Sequence, residues 1–413
     1  MPNGLRVLTT QVPWARGVNI NLAVKVGSRD EEAGKGGIAH FAEHLCFRGT
    51  AEYPTETALG AQLYAIGAQT NANTSFDLTQ YMFNVPPETL PRALQLLASM
   101  VHQPTLNGFE IERRIVLAEL RMYEGSEWSL GDGEHHTVKP LFHPSDFCRG
   151  PTIGTANSVA SLTLDDLRAF YARFYVAKNM VLSIAGPLSP EVVGAAVVPF
   201  AQLAPGSYNL RALPPPPRPG AMHLDAREEH RSELRMIFPL VAHPPSHDAE
   251  WTVLTYMLQG GHGLMHRALR SVRGLVYNHH AHTHYFSDFG TQNVDLEPNA
   301  SDPVTGLRQV LDVLGALKRA PPSAADLAGA KLSARQGLAT MLEEPGSYCS
   351  NTAWEAIFGW PHDPQKRAER IAAVTPEGVQ LFAQQLFKTG AGHLFYSGPP
   401  NHEKTLWKMF KAL

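Results

Sequence analysis

The sequence has few cysteines and no long hydrophobic run. Three cysteines, Cys46, Cys148 and Cys349, occur among 413 residues, which is too few and too scattered for a disulfide framework or a cysteine-type zinc site. No stretch approaches the roughly 18 apolar residues that suggest a membrane-spanning helix. The N-terminus also lacks the charged segment and following apolar segment of a secretory signal. These absences predict a protein of the cytoplasm, a reducing compartment, with no membrane segment.

The sequence also lacks an excess of charge of either sign. Its formal net charge is −3, from 35 basic and 38 acidic residues, so the composition gives no reason to expect binding to nucleic acid or to an anionic membrane. Hydrophobic residues make up 44% of the chain and charged residues 18%. This is ordinary globular composition, and the length is sufficient for two or more domains with their own cores.

Residues 36–50, by contrast, are rich in groups that can do chemistry. If this stretch is helical, His40 and His44 lie one turn apart on one face. Two neutral imidazoles at that spacing can hold one zinc ion, and Glu43 beside them can take a proton from water that the metal activates. The opposite face carries apolar residues at helical spacing: Ile38, Phe41, Ala42 and Leu45.

The order His-x-x-Glu-His is the inverzincin motif, the mirror of the commoner His-Glu-x-x-His. The pentapeptide alone also fits a helix with two surface histidines, because this chain contains 19 histidines. A third ligand from elsewhere in the chain would favour the metal site.

A helix predicted over residues 109–124 is the natural place to look for that ligand. Its Glu112 and Glu119 are seven residues apart, which is two helical turns, so they share a face. A buried carboxylate is costly unless it is paired or bound to a metal. The spacing fits a ligand-bearing face and also a solvated acidic face, so both interpretations stay open at this point.

The proline-rich stretch near the middle of the chain predicts a domain boundary. Four consecutive prolines at 214–217 form a stiff, extended segment. We therefore predict an N-terminal domain at 1–205, a linker at 206–221 and a C-terminal domain at 222–413. Residues 79–101 and 291–314 share the same pattern of a strand, a proline-containing turn and a long helix, which suggests two related halves of typical domain size.

With these features, the chain resembles the pitrilysin–insulysin–mitochondrial processing peptidase family of zinc metallopeptidases. It is similar to the short, two-domain, bacterial-type members of that family. The resemblance covers nearly the whole chain. It is carried by the segments at 3–7 (Asn-Gly-Leu-Arg-Val), 27–31 (Gly-Ser-Arg-Asp-Glu), 37–50, 151–155 (Pro-Thr-Ile-Gly-Thr), 179–186 and 269–277.

The resemblance implies a role for each residue of the motif. His40 and His44 are similar to the two zinc-binding histidines, and Glu43 is similar to the general base. Glu119 stands where the family has its third zinc ligand, and Glu112 stands at the acidic neighbour that supports the site. The implied cofactor is one zinc ion per chain.

The resemblance also implies roles outside the zinc set. Arg270 and Tyr277 have the seven-residue spacing of a pair that reaches the substrate in active family members, where it can stabilise the developing oxyanion. Without the resemblance, an ordinary surface arginine and a strand tyrosine would be the simpler interpretation. Residues 71–74 resemble the sheet edge to which a substrate peptide is added as an extended strand.

The implied fold class is α+β, with two homologous α/β-roll domains, each an antiparallel-rich sheet with helices packed on one side. The implied activity is zinc-dependent hydrolysis of unstructured peptides in a closed dimeric chamber. A homodimer is our first expectation, because this chain holds both the zinc set and the Arg/Tyr pair. The alternatives are the zinc subunit of a heterodimeric processing peptidase and a non-catalytic scaffold subunit of the same fold.

Two further features stay open. A dense histidine cluster follows Tyr277 and could bind a second metal, although such residues are more often solvated or hydrogen-bonded: His279, His280, His282 and His284. Cys46 lies two residues past His44, roughly opposite the ligand face, and is predicted to be a packed thiol.

Overall fold

The computed structural model describes residues 1–123, 138–142, 150–226, 232–240, 247–259, 262–270, 276–298 and 302–413. They form two compact units. The first comprises Met1–His135, Pro144–Ala212 and Met341–His362, and the second comprises His136–His143, Leu213–Thr340 and Asp363–Leu413. One of the passages between the two units falls between residues 212 and 213, inside the range 206–221 that was predicted as a linker.

A five-stranded mixed sheet forms the centre of the first unit, with the strand order β1-β5-β2-β4-β3. β1 and β5 are parallel, and the other neighbours are antiparallel. The apolar side chains of β2 occur at every second residue, so they point to the same face of the sheet. These side chains belong to one hydrophobic core: Val18, Ile20, Leu22 and Val24. The strands are β1 (Arg6–Gln11), β2 (Val18–Val24), β3 (Gln69–Thr74), β4 (Thr79–Val85) and β5 (Met180–Gly186).

Helices cover the core face of this sheet. The helix over Leu90–His102 shows why, since eight of its side chains are buried and they recur at helical spacing. The described helices of the first unit are α1 (Ile38–Leu45), α2 (Glu56–Ala65), α3 (Leu90–His102), α4 (Phe109–Tyr123), α5 (Ala156–Ser161), α6 (Leu164–Phe174), α7 (Pro190–Ala196) and α12 (Pro345–Phe358).

α12 differs from the others because it packs on the opposite face of the sheet. Its Ala353 and Ile357 form a separate apolar cluster with Ala23 of β2 and Val181 of β5. The predicted α+β class is confirmed, because the described residues form sheets covered by helices. The prediction of helices on one side only is wrong for the first unit, whose sheet carries helices on both faces. α12 was predicted to lie in the C-terminal domain, whereas its apolar side is buried in the first unit.

The second unit repeats the architecture of the first. Its sheet has the strand order β6-β10-β7-β9-β8. When the strands of each unit are counted along the chain, both sheets have the same spatial order, 1-5-2-4-3. The first and last strands are again parallel and the others antiparallel. The strands are β6 (Met222–Ala226), β7 (Glu233–Leu240), β8 (Val276–Tyr285), β9 (Gly290–Pro298) and β10 (His393–Gly398).

The helices of the second unit enclose a core of their own around the fully buried Trp251. The indole N–H of Trp251 donates to Gln292 Oε1 at 3.0 Å, so this large side chain leaves no unpaired polar group. The described helices are α8 (Asp248–Gln259), α9 (Leu264–Arg270), α10 (Pro303–Arg319), α11 (Ala324–Glu343), α13 (Pro364–Ala373), α14 (Pro376–Leu386) and α15 (Glu403–Phe410). Among the described residues, none of the helices combines the length and the apolar character needed to cross a membrane.

A hydrogen-bonded histidine pair lies on the sheet of the second unit. His393 is 1% exposed. Its Nδ1 lies 3.2 Å from His223 Nε2, and its Nε2 lies 3.4 Å from the carbonyl oxygen of Arg218. With neutral rings, the Nε2–H of His223 donates to Nδ1 of His393, and the Nε2–H of His393 donates to the carbonyl oxygen. Burial and the neighbouring His223 lower the pKa of His393 to about 4.

We therefore expect the second unit to lose stability in mild acid. His393 has a pKa near 6.5 when unfolded and about 4 when folded, so its contribution is complete above pH 6.5 and is lost as the pH falls towards 4. The free energy of unfolding should fall by about 2 kcal/mol between pH 7.5 and pH 5 from this group. Urea titrations at both pH values test this, and His393→Leu should flatten the pH dependence. An unchanged pH dependence in that variant would contradict the assignment.

Candidate active site

α1 forms as the motif predicts and presents both histidines on one side. It begins after Gly37, whose φ of 88° is a left-handed conformation that favours glycine. The apolar side of the helix is buried in the core of the first unit. On the other side, the Nε2 atoms of His40 and His44 lie 3.1 Å apart. One turn of helix therefore brings two imidazole nitrogens to a common point.

α4 brings the third donor to that point. Oε2 of Glu119 lies 3.9 Å from Nε2 of His40 and 3.9 Å from Nε2 of His44. The start of α4 is anchored on α1 by an edge-to-face contact of Phe41 and Phe109, whose ring centroids are 5.1 Å apart. Within the described parts of the chain, these are the three side chains that are grouped closely enough to share a metal ion.

The donor set fits a zinc ion in kind and in spacing. Two imidazoles and a carboxylate are ligands that zinc takes in catalytic sites, with a fourth position left open. Ligands at about 2.0–2.1 Å in a tetrahedral arrangement lie roughly 3.3–3.4 Å from one another. The observed separations of 3.1 and 3.9 Å bracket that value. Only a small side-chain adjustment would therefore be needed to bind the ion.

Glu112 orients His44 from behind. Its Oε1 lies 2.7 Å from Nδ1 of His44, so the Nδ1–H donates to the carboxylate and leaves the Nε2 lone pair free for a metal. Arg48 donates its Nε–H to the other oxygen of Glu112 and its Nη1–H to Glu56. Glu112 is 4% exposed, so the carboxylate is fixed by these partners rather than by water. Nδ1 of the neighbouring His40 has no such partner among the described residues.

The two histidines differ in their pKa. Burial, followed by the neighbouring His44, lowers the pKa of His40 to about 3, so this ring is neutral and available as a ligand at neutral pH. Burial also acts to lower the pKa of His44, but the hydrogen bond that His44 donates to Glu112 and the surrounding carboxylates outweigh it and raise the pKa. Burial tends to raise the pKa of Glu112, yet His44 and Arg48 hold it below its usual value.

We expect Glu112→Gln to weaken zinc binding without removing a ligand. The amide cannot hold the Nδ1–H of His44 as a carboxylate does, so the affinity for zinc should fall about 10–100-fold, the usual cost of losing such a partner. Competition with a chromophoric chelator measures this. Glu56→Gln is the matched control, because Glu56 also contacts Arg48 but is exposed and does not contact His44. Equal affinity in the two variants would contradict the role of Glu112.

Glu43 lies beside the ligands and is tied to the nearest strand. The hydroxyl of Thr74, the last residue of β3, donates to Oε2 of Glu43 at 2.6 Å. The Glu43 side chain is buried, and burial raises its pKa although the Thr74 hydrogen bond lowers it. A carboxyl group with a raised pKa is better suited to accept and return a proton near neutral pH.

β3 is the edge strand of its sheet and its outer side has no strand partner among the described residues. Thr70, Ala72 and Thr74 are partly buried towards α1, whereas the residues between them are exposed. The predicted segment 71–74 therefore lies on an edge with which an added strand could pair. The N–H of Ala72 donates to Oδ1 of the exposed Asn71 at 2.9 Å, so this side-chain bond would have to give way to a strand that used that N–H. The same strand carries Thr74, the hydrogen-bond partner of Glu43.

The remaining predictions have different outcomes. Arg270 ends α9 and Tyr277 lies in β8, but their side chains fall outside the described part of the chain, so their role stays a prediction. The histidines after Tyr277 do not form a second metal group among the described residues; His282, for instance, pairs with Asn293 and Asp295. Cys46 is fully buried and accepts a hydrogen bond from Tyr81, and burial raises its thiol pKa to about 12.

Two contacts of the site had no signal in the sequence. Arg48 lies four residues past His44, but its partner Glu112 is 64 residues further on. Thr74 is 31 residues from Glu43. Neither contact has a local spacing that could reveal it, because both form only when the helices and the edge strand pack together.

The site has the features of a metallopeptidase-type zinc site. These features are a helix with two histidines on one side, a carboxylate from a second helix and an adjacent buried glutamate. Residues 6–133 match the family described as Insulinase (Peptidase family M16), and residues 161–333 match the Peptidase M16 inactive domain. Together these matches cover more than half of the chain. The chain therefore belongs to peptidase family M16, which confirms the predicted resemblance.

Relatives extend this similarity to the full length. The chain is 29% identical over 432 residues to a protein of Mycobacterium leprae described as an uncharacterized zinc protease, covering 100% of this chain and 94% of that one. The fold is similar to that of a protease from Helicobacter pylori, with a TM-score of 0.84, 20% identity and coverage of 96% and 97% of the two chains. The fold is also similar to that of a protein from Pseudomonas fluorescens described as a peptidase M16 inactive domain. The TM-score is 0.85, the sequence identity is 18%, and the match covers 96% of each chain.

Proposed function

We propose that this chain is a zinc-dependent endopeptidase. The observation that carries the proposal is the convergence of the His40, His44 and Glu119 donor atoms beside the buried Glu43. Packing alone does not require two imidazoles and two carboxylates at one point, since each costs free energy to bury without a partner. This set argues against the alternative of a non-catalytic scaffold subunit.

When bound, zinc supplies Lewis acidity, which lowers the pKa of water to about 7 and polarises a carbonyl group. The residues of the chain do the rest. Glu43 accepts the proton that the attacking water loses and passes it to the leaving amine. Thr74 holds Oε2 of Glu43, so Oε1 is the oxygen left for that proton. Glu112 keeps His44 in the tautomer that presents Nε2.

The substrate class that suits this site is an unstructured peptide. We propose that it pairs with β3 as an extended strand, because this edge adjoins α1 and carries the residue that holds Glu43. Main-chain hydrogen bonds would supply much of the binding free energy, so the sequence preference should be loose. Peptides that cannot extend, such as stable helices, should be poor substrates.

We propose Arg270 and Tyr277 as substrate-contacting residues, on the resemblance alone. Tyr277→Phe removes only the hydroxyl, which can donate to the developing oxyanion. We expect kcat to fall while the zinc content stays the same. Steady-state kinetics and metal analysis on the same preparation check this, and an unchanged kcat would refute the role.

We also propose that the working form is a homodimer located in the cytoplasm. A heterodimer with a sister subunit is the alternative, in which this chain would be the zinc subunit of a processing peptidase. Analytical ultracentrifugation of the active enzyme separates the possibilities. An active monomer would exclude both forms.

The test of the function is cleavage of an unstructured peptide of 20–30 residues by the purified chain, followed by mass spectrometry. We expect cleavage that stops when a chelator removes the zinc and returns when zinc is added. Cleavage that resists complete metal removal would contradict the proposal. Zinc binding without cleavage would favour a missing partner, and neither zinc nor cleavage would favour the scaffold.

A further inference from the structure

The first turn of α1 is capped by a side chain from outside the helix. Gly37 at the N-cap has no side chain to accept the free N–H groups that every helix start presents. Glu31 accepts them instead, with Oε2 3.0 Å from the Gly37 nitrogen and Oε1 3.0 Å from the Ala39 nitrogen. The N–H of Ile38 donates to the carbonyl of Lys35 at 3.2 Å.

Glu31 makes these bonds away from water. It is 3% exposed; burial raises its pKa, and the two backbone N–H groups, which favour the carboxylate form, lower it. One carboxyl group therefore joins Gly37 to Ala39, and the next residue is His40. The length of the side chain matters, because both oxygens must reach nitrogens that lie two residues apart.

A second segment also meets this helix start, at backbone distance. A Cβ on Gly37 would lie 2.5 Å from the carbonyl oxygen of Ile153, and a Cβ on Gly154 would lie 2.5 Å from the carbonyl oxygen of Gly36. Real Cβ atoms do not approach that closely, so both positions need glycine. The N-terminus of α1 is thus contacted both by the Glu31 carboxyl group and by the backbone at residues 153–154.

These contacts explain two segments that the proposed mechanism leaves unused. Residues 27–31 and 151–155 carry part of the family resemblance in the sequence, but none of them is among the proposed ligands, base or substrate-contacting residues. Both converge on the residues that immediately precede His40. A shift of this first turn would move His40 relative to His44, and it would change the 3.1 Å separation of their Nε2 atoms.

We propose that Glu31 is a positioning residue that sets the start of α1 and so fixes His40 for metal binding, an inference that rests on the proposed zinc-dependent function. It acts through the backbone of Gly37 and Ala39 and does not touch the metal or the substrate. Glutamine at this position would keep one acceptor, but its amide N–H₂ would face the other backbone N–H.

The test measures metal binding rather than activity. Glu31→Gln should weaken zinc binding roughly tenfold in competition with a chromophoric chelator, at the lower end of effects seen for supporting residues. The visible absorption of the cobalt(II)-substituted protein should also change, because it reports the arrangement of the ligands. Glu32→Gln is the matched control. Glu32 is next in sequence but pairs with Arg173 on the surface, so neither measurement should change.

A merely structural role is separated by two comparisons. Val193→Ala shortens a buried side chain in α7 of the same unit and should lower the melting temperature without changing the cobalt spectrum. Gly154→Ala disturbs the same helix start through the Gly36 backbone and should reproduce the loss of zinc affinity. A Glu31→Gln protein that melts earlier but keeps the parental zinc affinity and cobalt spectrum would overturn the proposal.

Hydrogen exchange of the metal-free proteins keeps this proposal distinct from the function itself. Exchange at Gly37 and Ala39 should be faster in Glu31→Gln than in the parent and in Glu32→Gln. If the parent bound no zinc, the proposed function would fail, and the exchange rates would still decide whether Glu31 holds the first turn. Unchanged exchange at both residues would overturn the role of Glu31 in either case.

Discussion

Glu43→Gln should abolish peptide hydrolysis while zinc remains bound. Glutamine has the size of glutamate and can still accept the Thr74 hydroxyl hydrogen bond, but it cannot take up a proton at neutral pH. General acid–base groups contribute about 10²–10⁴-fold to rate, and Glu43 is proposed to act twice in the reaction. We therefore expect kcat to fall by at least about 10³-fold.

The Glu43→Gln variant should be as stable as the parent. Glu43 is 7% exposed and burial raises its pKa, so the neutral amide avoids the cost of burying a charge. Kinetics, zinc content and melting temperature measured on one preparation check this combination. Glu52→Gln is the control, because Glu52 is exposed and hydrogen-bonds only with the neighbouring Tyr53 hydroxyl among the described contacts. A Glu43→Gln protein with parental kcat would refute the general-base role.

The ligand helix was predictable because its chemistry is local. Four residues make about one helical turn, so the spacing of His40 and His44 alone puts them on one face. The buried face follows from the apolar periodicity of the same segment. Glu119 is different, since its spacing from Glu112 fits a solvated face equally well. Only the resemblance singled it out in the sequence, and the structure then brings its carboxylate to 3.9 Å from both histidines.

Other parts of the site were not predictable, because they depend on contacts between distant segments. Glu31 lies in the loop before α1, and its side chain accepts hydrogen bonds from the backbone at the start of that helix. No helical or strand spacing predicts this contact. Arg48 and Glu112 meet only because α1 packs on α4. In the sequence, such residues cannot be distinguished from ordinary charged residues of loops and surfaces. The structure of the surrounding backbone is needed to identify their contacts.

The position of α12 shows the same limit at the level of the fold. Periodicity indicates which side of a helix is buried, but it does not specify the sheet that buries it. α12 follows two helices of the second unit in the chain, so the sequence assigns it to the domain at 222–413. Its Ala353 and Ile357 instead meet Ala23 and Val181 in the first unit.

Glu119→Gln should lose zinc and activity together, in contrast to Glu43→Gln. The carboxylate of Glu119 is the only anionic member of the proposed ligand set, and a neutral amide is a poorer zinc ligand. Removal of a direct ligand should cost more than the roughly 10–100-fold lost with a supporting partner. Zinc content after gel filtration should therefore fall well below one ion per chain, and peptide cleavage should fall with it.

Added zinc distinguishes the two glutamates. Excess zinc should restore part of the activity of Glu119→Gln, because His40 and His44 remain and Glu43 is intact, whereas it should do nothing for Glu43→Gln. Glu110→Gln is the matched control on the same helix, since Glu110 is exposed and pairs with Arg113 one turn away. A zinc-replete and active Glu119→Gln protein would exclude Glu119 as a ligand. The metal would then need another third ligand, because two neutral imidazoles alone are too few for a catalytic zinc site.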